Sequence, residues 1–317
     1  MNLLIISEQI INLLKPLNSH HTRSLLVLHT LLCIPPIAVA QDAWQLSSSV
    51  SATTGNYVGS QTMNNQHGLG IRVLGEKNQT WGFATGLQST RISMAPITQV
   101  SVQNQGNWML SAYCHVPSSR LSGRWTFQLD THQIHNDASQ SYGSHVRVFA
   151  PKVTWLSYSQ PLKVDISYAN SSYNNTATIH QYSSAIAYAL SGDNNWLQIR
   201  SYAINHLDPT KALGQSSTQA TDIKLTHFLS ASTHWAPSIL TLGLERGKRI
   251  YIVDMATQTV YNLPMRNEGG ENIAATWRLN SKSNLNLHFS KTKYLSSIPL
   301  THHFTLNSLS AQIVTSW

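Results

Sequence analysis

The densest gathering of acid–base and metal-ligating side chains is Asp130-Thr131-His132-Gln133-Ile134-His135-Asn136-Asp137. On an extended chain successive side chains alternate sides, so Asp130 and His132 share one face and His135 and Asp137 the other. A zinc-type centre needs three or four converging ligands, and one extended segment offers two. The segment is expected to be a hydrated rim, and no metal or other cofactor is assigned. His302-His303 has the same status. Two serine–histidine pairs have matching parity, Ser111 with His115 and Ser290 with His288. A catalytic triad also needs hydrogen-bond contact and a third orienting group, and a chain this rich in Ser and His produces such pairs by chance. A lipid-modifying enzyme is the lesser alternative on these grounds, and no catalytic residue is assigned. Cys114 sits in an apolar stripe, where a small apolar role outweighs redox work. Gly-rich phosphate loops, paired zinc cysteines and Lys/Arg blocks are absent from the sequence, which argues against nucleotide, structural-zinc and nucleic-acid binding.

The elements that must position these groups are strands. Charged residues make up 11% of the 317-residue chain, against about 25% in soluble domains. Yet no apolar run beyond residue 40 reaches the length of a membrane helix. Low charge without long apolar runs suits a membrane barrel, apolar outside and polar inside by alternate residues. The alternation is explicit in Leu69, Ile71 and Val73, in Trp81, Phe83, Thr85 and Leu87, and in Leu240, Leu242 and Leu244. It recurs in Trp108–Val116, Trp125–Leu129, Val146 with Val148, Val164–Tyr168 and Ile273–Leu279. Short turns such as Glu76-Lys77-Asn78, Ser159-Gln160-Pro161 and Asn280–Asn284 alternate with longer connections. The longer ones are Gly55–Gln66, His135–Ser144, Asn170–Thr176, His206–Ser217, Asp254–Gly270 and Tyr294–His302. Short turns at one rim and long loops at the other are the expected asymmetry of such barrels. The pattern predicts an all-β fold, an antiparallel transmembrane β-barrel of about 14 strands, with 12 to 16 within boundary error. The N- and C-terminal strands should pair to close it.

Ahead of the barrel, Arg23 precedes the apolar run Leu25–Ile34, and Ala38-Val39-Ala40 has the small-x-small form of a cleavage site. Residues 1–40 are therefore expected to be an N-terminal extension plus signal peptide, cleaved after Ala40, with 41–317 a single barrel domain.

The last strand carries apolar or small residues at alternate positions, Leu309, Ala311, Ile313 and Thr315, back from the aromatic Trp317. This resembles the C-terminal strand of Gram-negative outer-membrane barrel proteins. The resemblance implies an outer-membrane location, contact with outer-membrane lipids and lipopolysaccharide, and reading of this strand by the barrel-insertion machinery. Thr315 and Ala311 are weaker than the family's usual bulky choices, and Trp stands where Phe is commoner.

If the apolar stripes face lipid, the opposite parity lines the lumen. That assigns Arg72, Arg124, Arg147, Lys163, Arg200, Lys224 and Arg278 inward. Asp130, His132, Asp165, Asp222 and Glu245 join them. An inward position spares each Arg or Lys a midplane cost of about 2–4 kcal/mol. Rings of side-chain charge set channel selectivity, so the expected function is porin-like passage of small polar or anionic solutes. The alternative is a barrel for export or assembly of a surface polymer or protein. For that role Asp254–Gly270, with Tyr261, Met265 and Arg266, would be a plug or docking surface.

Overall fold

The computed structural model describes residues 44–95, 98, 102–137, 145–174, 178–190, 194–208, 212–229, 236–254, 259–260, 265–296 and 301–317. The expected signal peptide and Tyr261 lie outside the described residues. The first strands are β1 (Trp44–Val58), β2 (Met63–Lys77), β3 (Trp81–Met94), β4 (Val102–Ser118) and β5 (Gly123–Asn136). They are followed by β6 (His145–Ser157), β7 (Leu162–Tyr173), β8 (Thr178–Ala189), β9 (Asn195–His206), β10 (Ser217–Phe228) and β11 (Ile239–Arg249). A small hairpin of β12 (Val253–Asp254) and β13 (Thr259–Val260) precedes β14 (Arg266–Arg278), β15 (Ser283–Ser296) and β16 (His302–Ser316). All but the hairpin form one closed antiparallel barrel of 14 strands, in which β11 pairs with β14 past the hairpin.

Closure is made by β1 and β16, in register from Ser47↔Ser316 through Val50↔Ile313 to Val58↔Thr305. The Trp317 backbone N–H donates to the Leu46 carbonyl at 2.8 Å, extending the seam to the last residue. With no free edge, each of the 14 barrel strands has a ladder partner on both sides.

Burial is inverted relative to a water-soluble protein. Leu87, Trp108, Phe127, Ile186 and Phe289 are exposed, while Asp130, Asp165, Arg200 and Asp222 are buried. Cross-strand rows show why: Ile186, Ile199, Ile223 and Leu244 are successive register partners across β8 to β11, all on the outward face. Aromatic pairs reinforce the rim at which β1 begins and β16 ends, the terminal rim of the barrel. Trp44 meets Trp81 edge-on at 4.7 Å, and Trp125 meets Trp155 at 4.9 Å.

The connections depart from the expected lengths. Gly55–Gln66 is mostly strand, because β1 runs to Val58 and β2 begins at Met63, with Asn56 opposite Asn65. Asn170–Thr176 likewise lies largely within β7, which ends at Tyr173. Polar residues continue the ladder where the apolar stripe ends, since ladder hydrogen bonds do not depend on side-chain polarity. Polarity therefore marks the edge of the apolar belt, not the end of the strand.

Candidate functional site

The lumen gathers the ionisable residues. Along one row Asp165, Ala185, Arg200, Asp222 and Glu245 are successive register partners across β7 to β11. Ala185 is too small to block the way, and the Arg200 guanidinium reaches past it to donate twice to Asp165, at 2.8 Å each. Asp222 and Glu245 face each other as like charges, and Arg249 bridges them, with Nη1 3.1 Å from Asp222 and Nη2 2.5 Å from Glu245. The Tyr202 hydroxyl donates to Asp222 at 3.0 Å, and the Arg249 guanidinium lies over the Tyr202 ring. This row is a buried ionic network of the kind that removing one partner disrupts by about 3–5 kcal/mol.

The next row toward the termini is different. Arg124, Leu156, Lys163, Ala187, Gln198 and Lys224 are register partners across β5 to β10. It holds three cations and no carboxylate, and among the described residues no ion pair joins Arg124, Lys163 or Lys224. Arg72 and Arg278 also face inward, on β2 and β14. Asp130 and His132 lie inward on β5, fully buried and 3% exposed respectively. Gln128 donates to both Asp130 carboxylate oxygens, at 2.9 and 3.0 Å.

Arg147 is placed otherwise. It is exposed on the outward face of β6, opposite Gln133, and it is Val146 and Val148 that point inward, 0% and 3% exposed. The parity of β6 is thus the reverse of the sequence reading. The reason is tertiary. The segment after β11 folds back into the barrel, and Ile250, Tyr251, Ile252, Val253 and Val260 form one apolar cluster with Ile134, Val146, Val148, Tyr173, Tyr202 and Ile204 of the inner wall. Inward valines are favoured where an apolar strap covers them. Gln181 pins the strap, donating to the Val253 carbonyl at 2.6 Å and accepting from its N–H at 3.0 Å. Met265, at the strap's far end, packs against a second inner cluster of Tyr57, Met63, Ile92, Tyr294, Phe304 and Leu306.

A bulge starts the strap inward. The β11–β14 register shifts between Arg246 and Arg249, and Gly247 adopts φ +103°. A Cβ there would meet the Gln219 carbonyl at 2.4 Å, so glycine alone permits the turn-in that buries Arg249.

Several lumenal residues escaped the sequence reading. Glu76 looked like part of a turn, yet it faces inward and accepts from the Tyr113 hydroxyl at 2.8 Å. Lys152 is on β6, where the face opposite to Arg147 points inward, and it stands opposite Gln128. Arg249 was hidden by the bulge, which no periodicity signals, although Gly247 beside two basic residues was a visible cue. With these, the inward cations are Arg72, Arg124, Lys152, Lys163, Arg200, Lys224, Arg249 and Arg278. The carboxylates are Glu76, Asp130, Asp165, Asp222 and Glu245, and Asp254 of the strap acts electrostatically on Arg200. Among the described residues, eight inward cations against six carboxylates give +2.

The serine–histidine pairs are not brought together. His115 Nδ1 lies 2.8 Å from the Thr126 hydroxyl, and the Ser111 hydroxyl is buried without a hydrogen-bond partner. Ser290 pairs with the Ser308 hydroxyl at 2.7 Å. Asp137 leaves the histidines and accepts from the Asn104 backbone and side chain, at 2.8 and 2.5 Å. Among the described residues no three His, Cys, Asp or Glu side chains converge as metal ligands.

No family model matches the sequence, and no curated protein does. Solved structures do. The Pseudomonas putida toluene transporter TodX superposes with a TM-score of 0.51 at 8% identity, over 87% of this chain and 90% of that one. A TodX mutant described as a monoaromatic hydrocarbon channel gives 0.50 at 8% identity, over 87% and 91%. A bacterial polysaccharide outer membrane secretin gives 0.49 at 11% identity, over 88% and 100%. The likeness is one of fold. What is shared is the closed antiparallel β-barrel.

Proposed function

We propose that this chain is an integral outer-membrane barrel acting as a porin-like passive channel for small polar or anionic solutes. The observation that carries the reading is the inward cation row of Arg124, Lys163 and Lys224, which no carboxylate neutralises within the row. A cation held in a lumen without a partner lowers the energy of a passing anion, and such rings set selectivity. The exposed apolar belt supports insertion into a bilayer, since a contiguous apolar surface of this extent is not tolerated in water. The strap is the narrowing element, lying on the inner wall of β5 to β10.

The described apolar residues of the strap, Ile250 to Val253 and Val260, are spent on the barrel's own wall, which supports a channel over an export or assembly role for that part of the segment. The outward residues of β16 (Leu309, Ala311, Ile313 and Thr315) with the terminal Trp317 are proposed as the strand read by the insertion machinery. Deleting Trp317 should slow folding into bilayers without altering the conductance of the molecules that do insert.

The decisive experiment is planar-bilayer conductance of purified, heat-modifiable protein. Stepwise conductance with a zero-current potential on the anion side is expected. A folded sample with no resolvable conductance overturns the channel.

A further inference from the structure

A groove of about 600 Å³ lies across β7 to β11, lined on the outward side by Ile166, Tyr182, Ser184, Ser201, Thr221 and Arg246. Four of these form a single row: Ser184, Ser201, Thr221 and Arg246 are successive register partners. One rung nearer the termini is the apolar row Ile186, Ile199, Ile223 and Leu244. The groove therefore sits on the step where the apolar belt gives way to polar surface, on the side away from the chain termini. The same row continues past Arg246 through Gly269, which has no side chain, to Lys293. With strands about 4.8 Å apart, Arg246 and Lys293 stand about 10 Å from each other, and Lys248 is exposed beside them in the bulge. Among the described residues none of these three cations has an ion pair.

We propose that this groove binds a phosphorylated glycolipid of the outer leaflet, of the lipid A class. Its acyl chains lie on the Ile186–Leu244 row, its sugar occupies the shallow floor of small hydroxyls, and its phosphate is held by Arg246, Lys248 and Lys293. The inference rests on the outer-membrane reading, but not on conduction. Three features select this occupant. Three cations without an ion pair at the edge of an apolar belt complement an anionic headgroup, the neighbouring Glu268 being occupied by Arg266 and His303. The apolar row immediately beneath requires that the anion carry hydrocarbon. The serine and threonine floor offers hydroxyl partners at a place where bulky residues would fill the groove. One rung beneath, Lys291 stands opposite Glu271, its register partner on β14, so the charges of that rung are matched.

The test is native mass spectrometry of the full chain with lipid A, and with the same lipid enzymatically stripped of its phosphates. The Arg246→Ser/Lys248→Ser/Lys293→Ser variant should lose at least tenfold in lipid A retention, and wild type should lose as much when the lipid is dephosphorylated. Arg91→Ser/Arg147→Ser, which removes outward cations remote from the groove, should retain lipid A like wild type. Heat-modifiable migration confirms that each variant is folded. Equal retention by the triple variant, or equal binding of dephosphorylated lipid, overturns the site. Conductance is recorded on the same samples, so a barrel that binds lipid but does not conduct removes the channel and leaves this inference standing.

Discussion

Reversing the charge of two lumenal cations should invert the ion preference of the pore. Arg124 and Lys224 share the row without ion pairs, and neither hydrogen-bonds within the network of Arg200 and Arg249. Arg124→Glu with Lys224→Glu changes the lumen by four charge units, taking the net +2 of the inward residues to −2. Each fixed charge lies roughly 8 Å from a solute near the axis of a barrel this size, and interacts with it by about 0.5 kcal/mol in water. Four units sum to about 2 kcal/mol, which screening at 0.1 M salt reduces to about 1 kcal/mol. That lowers anion partition about fivefold and raises cation partition by a similar factor. In a tenfold KCl gradient centred near 0.1 M, the zero-current potential should move from the anion side through zero to the cation side. At 1 M salt, where the Debye length is about 3 Å, wild type and variant should nearly coincide. Arg147→Glu is the matched control: it sits on the outward face, so it should leave the potential unchanged. A variant that inserts and conducts but keeps its anion preference at low salt refutes the assignment of the row to the pore wall. So does an inversion produced by Arg147→Glu.

Other consequences follow from the strap and the network. Gln181→Leu with Arg249→Met removes both anchors of the strap and should raise single-channel conductance and current noise, whereas an unaltered conductance would mean the strap does not limit the pore. Gly247→Val places a side chain against the Gln219 carbonyl in a left-handed backbone region, and should lower stability in a urea titration by about 1–3 kcal/mol. Arg200→Met alone leaves Asp165 buried without its partner and should destabilise the barrel by about 3–5 kcal/mol, while adding Asp165→Leu should recover most of the loss. If single and double variants unfold at the same urea concentration, the pair is not a buried ionic contact.

The alternation of residues was enough to read the barrel, its strand count and its closure. Every strand has at least one outward stripe such as Leu240, Leu242 and Leu244, and a lipid-facing stripe is repeated in each strand because the bilayer imposes it on all of them alike. The inner face has no such uniform solvent. Where the lumen is polar, as around Lys224 and Arg278, parity assigns residues inward without difficulty. Where a strap lies against the wall, inward residues are apolar too, and β6 then offers Val146 and Val148 against Arg147 and Phe149 with no local way to tell the faces apart. The strap that decides the question lies about a hundred residues downstream and meets the wall only in the folded molecule. The same limit applies to Glu76 and Arg249. Polar residues at a strand end read as turn, and a glycine bulge breaks the period-two count.

These two kinds of inner wall divide the lumen's work. Of the two inward rows on β7 to β11, the one running from Asp165 to Glu245 commits its charges to one another: Arg200 is occupied by Asp165, and Arg249 by Asp222 and Glu245. That row anchors the strap and offers a solute little, while the neighbouring row keeps Lys163 and Lys224 without an ion pair among the described residues. Against it, the rows of β1 to β3 present Ser49, Ser51, Gly68, Gly70 and Gly86 to the interior, with Arg72 among them. At mid-barrel these side chains are small, whereas nearer the other rim the same strands carry Tyr57, Met63 and Ile92, which Met265 meets. A solute that follows these strands passes Arg72 before the Arg124 row, so the two should act in series. Arg72→Ala should therefore reduce anion preference by less than the double reversal, and should do so additively with Arg124→Ala. Strong non-additivity would place both on a single site and remove the picture of a graded path.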